Sequence, residues 1–115
     1  MSVRPDSAYL ADIQEAIRRI GGYTADMPYE QFRKDIRTQD AVMRNLEIIG
    51  EATKNISASF RKKHSDIPWK QMAALRDRLI HHYFGVNLDI VWGIITKELP
   101  GVVNHIEIVR KNYLF

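Results

Sequence analysis

An arginine, a histidine and a tyrosine stand at positions 76, 81 and 83, within the run Arg76-Asp77-Arg78-Leu79-Ile80-His81-His82-Tyr83. Histidine can move a proton near neutral pH, and a guanidinium, which keeps its charge, can stabilise negative charge developing on phosphoryl oxygens. Together they suit metal-free cleavage of RNA, in which a 2′-hydroxyl attacks the adjacent phosphate. The spacing alone is a weak signal. An arginine followed five places on by a histidine arises by chance in roughly one such sequence in three, and requiring the tyrosine lowers this to the order of one in a hundred.

These residues need an element to carry them. Apolar neighbours at helical spacing predict a helix from the Ser65-Asp66-Ile67-Pro68 start to about Phe84, ended by Gly85. On its wheel Trp69, Met72, Ile80 and Tyr83 fall within roughly 40° of Arg76, which places Arg76 in the middle of the apolar face. His81 lies about 140° away, towards the polar side. A buried guanidinium needs a partner or a cleft, and Glu47 or Glu51 of the preceding helix could supply the carboxylate.

Three more helices complete the expected fold. The first is capped by Asp6 or Ser7, carries a stripe of Leu10, Ile13, Ile17 and Ile20, and stops at Gly21-Gly22. A long second helix runs from about Pro28 to Phe60 with a seam of Val42, Leu46, Ile49, Thr53, Ile56 and Phe60 and a possible irregularity near Thr38. After Asn87, the series Val91, Ile95, Leu99, Val102, Ile106 and Val109 keeps one phase across Pro100, which predicts a single kinked helix. No alternating strand pattern competes. The expected architecture is all-α, a four-helix up-down bundle formed by residues 1–115 as one domain.

Composition narrows the chemistry. Absence of cysteine removes disulfides, thiolate metal sites and thiol nucleophiles. There is no HExxH, EF-hand loop, repeated Glu-x-x-His pair or phosphate-cradling glycine loop, so no metal and no cofactor is expected. No apolar signal core or membrane-length run is present, and a cytoplasmic protein without a membrane partner is the expectation. A net charge of +3 permits a polyanionic partner without demonstrating one. Arg61-Lys62-Lys63-His64 reads as a solvated turn, the pair Glu47 and Glu51 as a solvated acidic face, and Trp69 and Trp92 as core.

The run from Arg76 to Tyr83 resembles the R-x4-H-x-Y signature of HepT-type toxins of the HEPN superfamily. Tyr9-Leu10, Leu46-Glu47-Ile48-Ile49-Gly50-Glu51-Ala52, Ile67-Pro68-Trp69, Val91-Trp92 and Leu99-Pro100 extend the resemblance along nearly the whole chain. It implies a metal-independent endoribonuclease with Arg76 and His81 as the catalytic pair, acting as the toxin of a toxin–antitoxin system. It further implies a homodimer with the active cleft at its interface. The implied partner is an MntA-type minimal nucleotidyltransferase antitoxin, which would silence the nuclease by attaching AMP to Tyr83. Asp77 fits the family's preference for a polar residue after the arginine, although asparagine is commoner in this branch; Asp77 and Glu51 are read as supporting groups.

Taken singly, each residue has a plainer reading: Arg76 as a core arginine in an ion pair, His81 as a helix-end histidine, Tyr83 as a core aromatic, His82 as structural. A non-catalytic helical binding subunit of a nucleotidyltransferase is the alternative function, in which the same residues only shape a nucleotide pocket.

Overall fold

Leu10, Ile13, Ala16, Ile17 and Ile20 form the buried stripe of helix α1, Asp6–Thr24. The structure, a computed structural model, describes residues 4–83 and 87–113, the side chains of 80–83 and 113 excepted. α1 starts after Pro5 without a side-chain cap. The Asp6 carboxylate instead accepts from the Ser57 amide at 2.9 Å and hydroxyl at 2.7 Å, tying the start of α1 to a distant link. Gly21 and Gly22 do not stop the helix, which continues to Thr24. The left-handed residue beyond its end is Asp26 (φ 57°), a short polar side chain in the role usually taken by glycine.

The expected long second helix is three helices: α2, Tyr29–Lys34; α3, Ile36–Lys54; and α4, Ala58–Lys63. Asp35 causes the first break. Its carboxylate accepts from the Thr38 amide at 3.1 Å and hydroxyl at 2.7 Å, which caps α3 and holds the carboxyl below the usual aspartate range. Ser57 causes the second, its hydroxyl accepting from the Phe60 amide at 3.2 Å to start α4. Most of the basic run therefore lies on a short helix rather than in a turn. The seam survives these breaks, with Val42, Leu46, Ile49, Thr53 and Ile56 all buried.

The expected third helix is also divided, into α5, Trp69–Ala73, and α6, Leu75–Tyr83. Ala74 is the joint, and the Arg78 amide donates back to its carbonyl at 2.9 Å. The buried stripe is Trp69, Met72, Leu75 and Leu79. Trp69 is fixed by its indole N–H, which donates to the His64 carbonyl at 2.9 Å. Gly85 lies outside the described residues.

The last region runs through α7, Leu88–Gly93, a π-helical turn, Ile94–Glu98, and α8, Leu99–Tyr113. The departure from a regular α-helix falls just before Pro100, where a missing N–H and a ring needing space make the α repeat costly. All six residues of the expected seam, from Val91 to Val109, are buried.

The fold is all-α, with no strand among the described residues. α1 packs along α3; α5 and α6 lie against another part of α3, and α8 lies on α1. Trp92 of α7, half-buried, meets Phe32 of α2 with ring centroids 5.0 Å apart. α3 is thus the shared wall. No described helix is long and apolar enough to cross a membrane.

Candidate active site

The site begins with a glycine. Where α3 meets the start of α6, a Cβ added to Gly50 would lie 3.3 Å from the Arg76 amide nitrogen, 3.5 Å from the Met72 carbonyl oxygen and 3.7 Å from the Arg76 Cβ. The bare α-carbon lets two helix backbones approach closely. Arg76 consequently leaves α6 beside α3, and its Nη1 stands 3.9 Å from Oε2 of Glu51.

Both side chains are more than half exposed, Arg76 at 54% and Glu51 at 61%. This corrects the expectation of a buried arginine. Leu75 and Leu79, on one flank of Arg76, turn the buried stripe away from it, and the joint at Ala74 interrupts the single wheel from which burial was read. At 3.9 Å the pair is an ion pair without a hydrogen bond, and an exposed pair of this kind contributes about 0 to 1 kcal/mol. Glu51 biases the guanidinium without occupying it.

Arg44, Glu47, Ile48, Glu51 and Arg76 line an open groove of about 260 Å³. Glu47 and Glu51, read from sequence as a solvated face, are exposed and share that groove. Asp77 is exposed in the first turn of α6 and is not among the residues lining it. His81 and Tyr83 continue the α6 backbone, about 7.5 Å and 10.5 Å further along the axis than Arg76 at 1.5 Å per residue; their side chains lie outside the described set. What the geometry brings together is Arg76 and Glu51.

A further contact holds the helix that carries the motif. Arg78, only 32% exposed, donates through both terminal nitrogens to the carboxylate of Glu98 at 3.3 and 3.4 Å, joining α6 to the π-helical turn. Sequence reasoning missed this pair because the partners are 20 residues apart and no local pattern links them. It also missed Arg44 and Gly50. Arg44 could have been found from its place seven residues before Glu51, on the same face of a helix. Gly50 could have been found as a glycine set inside an apolar helical seam, a sign of close backbone approach.

Comparison with known proteins decides the family. The family model "Ribonuclease HepT-like" matches residues 13–109, from α1 to α8. The chain belongs to the HepT-like ribonuclease family. It is 45% identical over 108 residues to a Thermococcus cleftensis protein named "Probable ribonuclease HepT", covering 94% of this chain and 98% of that one. It is 48% identical over 105 residues to a provisionally named RNase of Methanocaldococcus jannaschii (91% and 87% covered). A provisionally named RNase of Caldanaerobacter subterraneus is 46% identical over 103 residues (89% and 88% covered). No solved structure matches the chain.

Proposed function

We propose that this HepT-like chain is a metal-independent endoribonuclease, the toxin of a toxin–antitoxin pair. The observation that carries this reading is the half-exposed Arg76 guanidinium, steered but not neutralised by Glu51, on the helix that bears His81 five residues on. The 2′-oxygen of a ribose attacks the adjacent phosphorus while the bond to the departing 5′-oxygen breaks. The products are a 2′,3′-cyclic phosphate and a 5′-hydroxyl. A proton leaves the 2′-hydroxyl and one is delivered to the 5′-oxygen, with His81 as the proton-transfer group. Arg76 stabilises the charge gathering on the non-bridging oxygens. Glu51 orients the guanidinium, and Asp77 is a supporting polar group.

The decisive experiment uses the protein purified without any partner and incubated with RNA in EDTA. Cleavage is expected, and His81→Ala, with an unchanged far-UV spectrum, should be slower by about 10² to 10⁴. Full cleavage by a folded His81→Ala would remove the histidine from the mechanism; no cleavage by the wild type would remove the nuclease reading.

The same proposal makes Tyr83 the point of control. AMP transferred to its hydroxyl by an MntA-type nucleotidyltransferase would put a phosphate and a nucleoside on the motif helix two turns beyond Arg76, where they compete with RNA for the guanidinium. After co-expression with such an antitoxin, intact mass should rise by one or more AMP units and cleavage should stop. Tyr83→Phe should show neither change, and a Tyr83→Phe protein that still gains the mass would assign the modification elsewhere.

A further inference from the structure

The groove holds a second guanidinium that the proposed reaction does not use. Arg44 lies seven residues before Glu51 on α3, two turns and about 10 Å along the same face. Asp40 at i−4 and Glu47 at i+3 stand at spacings that favour ion pairs on a helix. At those spacings some pairs elsewhere close, Arg19 and Arg18 meeting Glu15 at 3.3 and 2.6 Å and Arg33 meeting Glu30 at 3.1 Å, while others, such as Glu107 with Arg110 and Lys111, do not. Arg44 closes neither and forms no hydrogen bond or ion pair with a described residue. It lines the groove with Arg76 instead.

Two arginines and two glutamates leave this groove with no net formal charge, so bulk attraction of a polyanion is not its device. Its pattern is. RNA alternates an acceptor, the phosphate, with a hydroxyl that can donate, and that hydroxyl distinguishes it from DNA. The groove alternates likewise, with Arg44 as donor and Glu47, one turn on, as acceptor.

We infer that Arg44 and Glu47 form a subsite for a nucleotide neighbouring the cleaved bond, Arg44 holding its phosphate and Glu47 accepting from its 2′-hydroxyl. The inference rests on the ribonuclease reading and deepens it, because it assigns substrate positioning and the preference for RNA to residues outside the motif. Ile48, partly buried, lines the same groove and gives it an apolar wall.

The test is steady-state cleavage of a short RNA by the full chain, together with the salt dependence of binding to the same RNA made non-cleavable by a single 2′-O-methyl group at the cleaved bond, its other 2′-hydroxyls left free. Arg44→Gln should raise KM about ten- to a hundred-fold, the range of a hydrogen bond to a charged group, with kcat little changed. Its plot of log affinity against log salt should be shallower by about 0.7 for each phosphate contact removed. Arg44→Lys should keep the wild-type slope. Arg18→Gln on α1, which removes the same charge far along the sequence from the groove, should move neither quantity. Among substrates carrying one 2′-deoxy sugar near the cleaved bond, one position should raise the wild-type KM about tenfold, and Glu47→Ala should abolish that penalty.

Wild-type KM and slope in Arg44→Gln would overturn the subsite while leaving the nuclease intact. Indifference of the wild type to every neighbouring deoxy sugar would overturn the role of Glu47. A wild type that neither binds nor cleaves RNA would instead remove the reading on which the subsite rests.

Discussion

Arg76 joins two properties that pull against each other in most proteins: a charge fixed in place, and a charge open to water. Its main chain is pressed against Gly50 and its guanidinium stands 3.9 Å from Glu51, yet more than half of the side chain is exposed. The energetic consequence is a small stability contribution, and the proposed catalytic role predicts a large functional one. Arg76→Ala leaves no buried charge unpaired, so it should cost less than about 1 kcal/mol and lower Tm by no more than a few degrees. Loss of a pre-placed donor facing the developing negative charge should lower RNA cleavage by about 10² to 10³. Thermal melts and cleavage rates on the same preparation check both. An unfolded variant would return Arg76 to the core; a fully active one would separate it from the chemistry.

Among the elements, the crossing of α3 and α6 sets the cleft. Gly22 and Gly50 are both helical, but a methyl added at Gly22 meets nothing within 4 Å, whereas at Gly50 it presses on backbone. Gly22→Ala should therefore gain up to about 1 kcal/mol of helix propensity, with activity unchanged. Gly50→Ala gains the same propensity but forces α6 outward by a few tenths of an ångström, so it should lose cleavage activity, about tenfold or more, without a matching fall in Tm. If it retains full activity, the close approach does not position Arg76.

The stripes of α1, α3 and the last helical region were legible in the sequence because burial there depends on a repeat the chain displays directly. The joint at Asp35 was legible only as an irregularity near Thr38, the residue its carboxylate holds, and those at Ser57 and Ala74 were not legible at all. Asp35 and Ser57 work through caps whose apolar neighbours keep the helical phase, and so continue the pattern across the break. Arg76 was misjudged for a related reason: a wheel ranks faces within one continuous helix, and Leu75 and Leu79 carry the buried side further round. The run of types from Arg76 to Tyr83 was enough to suggest the family, whose model then matches from α1 to α8.

At the scale of the whole molecule, the groove is open, and the homodimer that the family resemblance implies would close it with a second copy around a two-fold axis. Light scattering at micromolar concentration should give twice the chain mass. If the cleft draws Arg76 and His81 from different copies, mixing the inactive Arg76→Ala and His81→Ala proteins should restore part of the activity, because mixed dimers regain one complete site. A strictly monomeric protein that cleaves RNA would contradict the arrangement. The net charge of +3 is too small to dictate RNA binding by itself, which leaves contact geometry to decide affinity.

The π-helical turn has a bearing on all of this. Val91, Ile95 and Leu99 advance by four residues twice, a stride that on a regular α-helix drifts about 80° off the seam. The wide turn takes up that drift, and Glu98 within it reaches across to Arg78. The helix bearing the motif is thus levelled against a point where the backbone has already corrected its own phase. The carboxy-terminal helices, none of whose described residues lines the groove, are thereby tied to the helix that bears the motif through Arg78 and Glu98.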